Sequence, residues 1–424
     1  MGVIWSILTN IVLYLTAYLV LGNRVREERI RWSLLTVILY NLTLFAHIYA
    51  VIIVPDTPLL FFWSYVILMT LKFQKTLKPK FLYHAGVALG FGLLSKYTAI
   101  AILPAVFTIL VSNPKSRRIF RTPHPYAALL LSTLIFAPVV IWNITNNWAS
   151  FGFQFSGRAE TLKSIQSKYI LQLIASQLFV LAPMPLLLIF RTTGLILKNW
   201  RNSEDARNLL LTGLFIIIGF TLISLRSLVK MNWLMPGYLG LIVASVLMLR
   251  DKIMLRSAWL KIGTVVSVLL IVTAHMIFLI DNIPLGEGNT WSGWRDATQK
   301  IAVIQKELGG KENVFIFANS YKAASLLRYY LGDNQDVYAQ NIYQQPALQF
   351  EIWGIPDSLR GKDAIYVFSD RYEYQGNLNL VAEFFERVIP AGEFEYTFMG
   401  TKKVRIISCY YAKNYHPNGM LDTR

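Results

Sequence analysis

Long apolar runs, separated by short gaps rich in lysine and arginine, leave this chain few ways to fold. The runs are Val3 to Leu21, Ser33 to Val54, Thr57 to Leu71, Leu82 to Leu110, Tyr126 to Trp142, Tyr169 to Phe190, Leu209 to Leu225, Trp233 to Leu249 and Trp259 to Ile280. A helix of about 20 apolar residues crosses a bilayer core. Leu82 to Leu110 is too long for one untilted crossing, and it reads as two that meet around Ser95-Lys96-Tyr97. A single tilted helix is the alternative, but it would set Lys96 deep in hydrocarbon. The total is about ten crossings. Between the second and third, Val54-Pro55-Asp56-Thr57-Pro58 is too short for anything but a tight reversal, and its prolines suit one. A buried helical hairpin of a soluble protein is the alternative for that part.

Composition agrees. Of the 424 residues 54% are hydrophobic and only 15% charged, against about 25% charged in a soluble domain. The net charge of +17 does not point to nucleic acid, because much of the positive charge lies in the gaps between apolar runs. The excess of cations on one side of a membrane accounts for it. The clusters Arg24 to Arg31, Lys72 to Lys80, Lys115 to Arg121, Arg191 to Arg207 and Arg250 to Arg256 fall at alternate turns. That pattern puts them in the cytoplasm. Asp56, Lys96, the polar and aromatic stretch from Asn143 to Lys168 and the Arg226 to Asn232 connector then lie outside. The chain starts almost directly in an apolar run, so no cleavable leader is expected. The single cysteine, Cys409, excludes an intrachain disulfide.

From Asp281 the pattern changes. Trp291 to Leu308 reads as a helix, Asn313 to Ala318 as a strand, Tyr321 to Leu331 as a helix and Asp336 to Ala339 as a short strand. Ala364 to Phe368 is the clearest strand, Leu378 to Val388 looks helical, and Phe394 to Met399 and Val404 to Tyr410 close the domain. Strands alternating with helices predict a small α/β domain with a largely parallel sheet.

No metal cluster, phosphate-binding loop, dinucleotide fingerprint or nucleophile elbow is visible in the sequence. What stands out is the set of ionisable groups on the outer connectors: Asp56, Lys96, Arg158, Arg226 and Lys230, with His47 near the same end of the second run. A carboxylate among cations suits an anionic substrate, and a lipid phosphate is the natural candidate. Plainer readings exist for each. Asp56 sits where a helix N-terminus favours an acid. Lys96, Arg226 and Lys230 are placed to snorkel to the interface, and His47 is placed to pack.

Taken in order, several segments carry a resemblance. They are Phe45-Ala46-His47, Val54-Pro55-Asp56-Thr57-Pro58-Leu59-Leu60-Phe61-Phe62-Trp63, Leu93-Leu94-Ser95-Lys96-Tyr97-Thr98-Ala99, Pro138-Val139-Val140-Ile141-Trp142-Asn143, Trp148-Ala149-Ser150-Phe151 and Asn232-Trp233-Leu234-Met235-Pro236-Gly237-Tyr238. Together they resemble the outer segments of bacterial GT-C membrane glycosyltransferases, the protein O-mannosyltransferase and aminoarabinose transferase superfamily (glycosyltransferase family 39-like). Gly293-Trp294 and Tyr321-Lys322-Ala323-Ala324 resemble that family's outer domain.

The resemblance implies an all-α polytopic membrane bundle over 1–280 and an extracytoplasmic α/β domain over 281–424. It implies inverting transfer of a sugar from a polyprenyl-phosphate carrier to a lipid, glycan or protein acceptor of the cell envelope, at the outer face of the bacterial inner membrane. Asp56 would be a site acid that orients the acceptor or holds a divalent ion, Mg or Mn. Lys96, Arg226 and Lys230 would meet the carrier phosphate, and His47, Tyr97, Arg158 and Asn232 complete the expected substrate-binding set. The family pattern begins with a further span and an outer loop that bears the principal acid. This sequence starts where the next span should lie, so the general base is expected to precede Met1. The competing expectation is a non-catalytic or shortened membrane protein whose outer domain binds a glycan or protein partner.

Overall fold

The computed structural model describes residues 1–159, 165–248, 258–277, 279–280, 282–285, 289–318, 320–332, 335–339, 348–370 and 378–417, without the side chains of 155–159. The expected basic loop at Arg250, Lys252 and Arg256 lies outside the described residues. The chain divides into two compact units, Met1–His275 and Met276–Arg424.

The first unit is helical. Its helices are α1 (Gly2–Val20), α2 (Arg26–Asn41), α3 (Leu44–Val51), α4 (Asp56–Thr76), α5 (Lys80–Ser95), α6 (Leu103–Ser112), α7 (His124–Thr145), α8 (Ala149–Ala159), α9 (Ser167–Leu181), α10 (Pro183–Lys198), α11 (Glu204–Ile223), α12 (Met235–Met248) and α13 (Ala258–Ile277). Short 3-10 turns, Tyr97–Ile102 and Ser116–Arg121, flank α6.

Outward faces of this unit are apolar. Helix α1 buries Val12, Leu13, Thr16 and Ala17 but exposes Ile4, Ile7, Ile11 and Leu15, and α13 exposes Trp259, Ile262, Val265, Leu269 and Val272. Continuous apolar surface of this extent is stable only against hydrocarbon. The unit is a membrane-embedded bundle.

Four of the described helices, α1, α7, α11 and α13, are long and apolar enough to cross a membrane, and two bent pairs raise the number to six. The ten crossings expected from the sequence are therefore not all full-length apolar helices. The physical reason lies in what each helix faces. Helix α4 packs on α1, α5 and α12 and is buried along most of its length, as is α12. A helix surrounded by protein needs no lipid-facing apolar stripe, although α4 at 21 residues is long enough to cross.

The bends also have local causes. The pair α2–α3 turns by 72° around Leu42 and Thr43. The pair α9–α10 turns by 111° at Ala182, whose φ is +60°, immediately before Pro183. Proline disfavours helical conformation in the residue before it, so the bend falls there. The long run from Leu82 to Leu110 is broken at Lys96, which is extended with φ −157° and ψ 131°.

Helices α11 and α12 approach through glycines. A Cβ on Gly213 would stand 2.0 Å from the Gly237 carbonyl oxygen, and one on Gly240 would stand 2.2 Å from Thr212 Oγ1. Small residues let membrane helices meet backbone to backbone. Gly240→Val is expected to destabilise the bundle by about 1–3 kcal/mol, read as a lowered melting temperature in detergent. An unchanged melt would disprove this close packing.

The second unit is a mixed sheet with flanking helices. After α14 (Trp294–Glu307) come β1 (Val314–Ala318), α15 (Tyr321–Leu331), β2 (Val337–Ala339), α16 (Gln349–Trp353), β3 (Asp363–Ser369), α17 (Leu378–Ala382), β4 (Phe385–Phe398) and β5 (Lys402–Tyr415). The strand order is β2-β1-β3-β5-β4. Strand β1 runs parallel to β2 and β3, whereas β5 runs antiparallel to both β3 and β4. The sheet is half parallel, not largely so.

The difference comes from the C-terminal end. The helix expected over Leu378 to Val388 stops at Ala382, and Phe385 already begins a 14-residue strand. Arg387, Val388 and Ile389 pair with Lys413, Ala412 and Tyr411 of β5. Ladder bonds over the whole β4–β5 hairpin outweigh a local helical pattern. Its loop uses positive φ at Met399 (+50°) and Gly400 (+72°), as tight hairpin loops require.

Alternation along β1 feeds two cores. Val314, Ile316 and Ala318 join Trp294, Ile301 and Leu327 on one face, while Phe315 and Phe317 join Tyr366, Phe385 and Tyr415 on the other. Cys409 is buried in the first of these cores, its Sγ donating to the Gly392 carbonyl at 3.4 Å. Burial pushes the thiol up to about 11. The thiolate is the reactive form, so the folded protein should resist iodoacetamide at pH 8 and label fully once this unit is unfolded. Rapid labelling of the native protein would contradict the placement of Cys409.

Candidate active site at Asp56, Lys96 and Asn232

The site begins with the turn between α3 and α4. Helix α3 stops at Val51, Ile52 is extended, and Pro55 stands at the N-cap of α4. The Thr57 hydroxyl closes the reversal: it lies 3.2 Å from the Ile52 carbonyl and 3.3 Å from that of Tyr49, and accepts from the Val54 amide at 3.4 Å. Asp56 is thereby fixed in the first turn of α4, where the helix dipole favours a negative charge. It is nevertheless buried, at 4% exposure, and a carboxylate removed from water needs partners.

It has two. Lys96 Nζ donates to Oδ1 at 2.7 Å, and Asn232 Nδ2 donates to Oδ2 at 2.8 Å. The lysine arrives because α5 ends one residue earlier; its extended backbone swings the side chain out of the helical path. Ser95 Oγ donates to the Pro55 carbonyl at 2.5 Å, which ties the end of α5 to the turn that carries Asp56. Asn232 arrives from the connector that leads into α12. That connector is held by Gln177, which donates to the Met231 carbonyl at 3.2 Å and accepts from Tyr238 at 3.1 Å.

Lys96 keeps 21% of its side chain exposed against 6% for Asp56. An ammonium group has three donors, and the carboxylate uses one of them here. The arrangement presents a positively charged donor whose position is set by a buried anion.

Tyr97 belongs to the same neighbourhood in another way. Its hydroxyl is 2.8 Å from Ser150 Oγ, and its ring packs edge-on against Phe136 and Phe151. It joins the Lys96 segment to α8. Asn143 shapes the turn into that helix, accepting from the Trp148 amide at its carbonyl (2.7 Å) and from the Phe151 amide at its side chain (3.1 Å).

The other expected residues are placed differently. His47 lies 2.7 Å from the Asn41 carbonyl through Nε2, and its ring meets His275 edge-on; no hydrogen bond joins it to Asp56. Arg226 and Lys230 are exposed on the connector before α12, with no side-chain partner among the described residues. The backbone of Arg158 lies in α8, while its side chain is outside the described residues. Ser95, Thr57, Ser150 and Gln177 were not singled out from the sequence. Ser95 and Thr57 had a signal there as neighbours of Lys96 and Asp56, and Ser150 as part of the Trp148 to Phe151 segment, but Gln177 had none.

Asp56 as it stands suits a metal poorly. An ammonium and an amide N–H occupy its oxygens, and among the described residues no three His, Cys, Asp or Glu side chains converge. A Mg or Mn ion would have to displace a cation and find its remaining ligands elsewhere.

In the second unit Gly293, Trp294, Ala323 and Ala324 of the two family-like motifs hold structural positions, whereas Lys322 is exposed. Gly293 has φ +81°, and a Cβ there would meet the Tyr396 ring at 2.4 Å. Trp294 is buried beneath the Arg405 guanidinium, and Ala323 and Ala324 sit in the core.

Comparison with known proteins agrees with this geometry at the level of fold. A family profile described as dolichyl-phosphate-mannose-protein mannosyltransferase matches residues 1–142. The crystal structure of ArnT from Cupriavidus metallidurans bound to undecaprenyl phosphate superposes with a TM-score of 0.61 at 13% identity, covering 96% of this chain and 83% of that one. No curated protein matches by sequence. The likeness is one of fold: the chain shares the ArnT fold over nearly its whole length.

If Asp56 and Lys96 form one buried unit, removing one partner leaves a charge unpaired. Lys96→Ala is expected to cost about 3 kcal/mol or more in detergent melts. Asp56→Asn combined with Lys96→Met should recover part of that loss. A neutral Lys96→Ala would show that the pair contributes nothing to stability.

Proposed function

We propose that this protein transfers a sugar from a polyprenyl-phosphate carrier to a lipid, glycan or protein acceptor of the cell envelope. The supporting observation is the buried Asp56 that fixes a partly exposed Lys96 between membrane helices. A phosphate at the head of a lipid requires such a site: a cation at the end of an apolar bundle, held still, with donors to spare.

In this reading Lys96 hydrogen-bonds the phosphate oxygens of the carrier. Asp56 is a positioning residue, because both its oxygens are already accepting, and Asn232 keeps the carboxylate from rotating. The acceptor oxygen bonds to the anomeric carbon as the bond from that carbon to the phosphate oxygen breaks. The electron pair leaves with the phosphate, where the ammonium stabilises it. The acceptor's proton passes to a general base. Arg226 and Lys230, on the connector that delivers Asn232, are additional cations for the carrier. Tyr97 aligns the Lys96 segment against α8, and Arg158 in that helix would face the same substrate. The bacterial inner membrane, with the second unit outside the cytoplasm, is the location consistent with this chemistry.

The experiment uses the full chain in proteoliposomes, a panel of radiolabelled polyprenyl-phosphate sugars, and envelope extract as acceptor. Transfer from at least one donor is expected. Lys96→Ala should lower it about 100-fold, with partial activity retained by Lys96→Arg. Transfer that survives Lys96→Ala unchanged would remove Lys96 from the mechanism, and no transfer from any donor would favour a binding protein of the same fold.

A further inference from the structure

The helical unit holds a second amphiphilic site at the end of the α4–α5 hairpin opposite Asp56. Helix α4 runs away from Asp56 to Thr76, Leu77 turns the chain with φ +55°, and α5 returns to Lys96. At the hairpin end a crevice of about 360 Å³ opens between α5, α6 and α7. Every residue that lines it is apolar, among them Leu82, Ala85, Leu89, Val106 and Leu129. Beside it lies a cavity of about 650 Å³ lined by Arg117, Arg118, Arg121 and Tyr126. The two share Phe107 and Phe120, whose rings meet at 5.5 Å between centroids, so the apolar crevice and the basic cavity adjoin at these rings.

None of the three arginines makes an ion pair or a side-chain hydrogen bond with any described residue; Glu204, which reaches this loop, is taken up by Asn113 at 2.8 Å. The arginine side chains are exposed, but the turn that carries them is anchored. They sit on the 3-10 turn Ser116–Arg121, which Ile119 anchors in a core with Phe73, Leu82, Leu110 and Ala128. The Ser116 hydroxyl also donates to the Leu110 carbonyl at 2.8 Å. A basic loop that only set orientation in the membrane would need neither the anchoring nor the adjoining crevice.

We propose that this trough binds a phospholipid with an anionic head group. One acyl chain lies in the crevice, and the head-group phosphate lies among Arg117, Arg118 and Arg121. Guanidinium groups pair with phosphate oxygens bidentately, and basic pockets between membrane helices select anionic lipids. The site is independent of Lys96 and of the transfer reaction proposed above.

The test is native mass spectrometry of the delipidated full chain with phosphatidylglycerol or phosphatidylcholine of identical acyl chains. Retention of phosphatidylglycerol is expected to exceed that of phosphatidylcholine by about a hundredfold. The preference should fall roughly fivefold for each arginine replaced by glutamine and vanish in Arg117→Gln/Arg118→Gln/Arg121→Gln. Val106→Trp, which fills the crevice, should weaken retention of phosphatidylglycerol while leaving the arginines in place. Lys96→Ala should leave it unchanged, and thermal melts identify variants that fail to fold. Equal retention of the two lipids, or full retention by the triple variant, would overturn the proposal. So would complete competition by glycerol 3-phosphate, since that would show a site for free anions rather than for a lipid.

Discussion

The carboxylate of Asp56 is the group on which the helical unit depends most. It is buried, and a carboxylate removed from water needs hydrogen-bond partners. Lys96 and Asn232, at 40 and 176 residues' separation, supply them. Meeting that requirement decides where α4 starts, where α5 must stop, and how closely the connector before α12 approaches. The Ser95 bond to Pro55 and the Gln177 bonds to Met231 and Tyr238 keep the three segments from drifting apart. One electrostatic need thus sets both a packing arrangement and the position of a partly exposed ammonium group.

Around that centre, helices differ by what solvates them. Helices α1, α7 and α13 face outward with apolar surfaces and have the length that a bilayer demands. Helices α4 and α12 are enclosed by neighbours and need no lipid-facing surface; α4, at 21 residues, still has the length to cross, whereas α12, at 14, is shorter. The bent pairs α2–α3 and α9–α10 fall between these extremes. This division explains why, among the described residues, fewer helices than apolar runs are both long and apolar enough to be full spans by themselves. The same rule of close approach governs α11 and α12, where Gly213, Gly237 and Gly240 bring two backbones together.

The second unit follows a different logic. Its sheet is organised by β1, whose alternate residues belong to separate cores. The residues that carry the family likeness there, Gly293, Trp294, Ala323 and Ala324, act through backbone conformation and burial rather than chemistry. That outcome separates two kinds of resemblance in one chain: motifs around Asp56 and Lys96 gather at a charged site, whereas those of the second unit hold up a sheet.

What the sequence determined by itself was the class of solvent and the alphabet of elements. Long apolar runs between cationic loops demand a bilayer, and β1, α15 and β3 were legible because burial imposes a period on the residues. The break at Lys96 was legible as well, since a lysine interrupts an apolar run too long for one crossing. Tertiary structure decided the rest. Pairing with β5 turned Val388 and Ile389 from a helical pattern into strand. Protein contacts allowed α4 and α12 to be other than lipid-facing spans. It also joined Asp56 to Lys96 and Asn232 while turning His47 toward Asn41 and His275. Local sequence encodes periodicity and burial, but a hydrogen bond across 176 residues depends on where the whole bundle brings two side chains, and no local pattern records that.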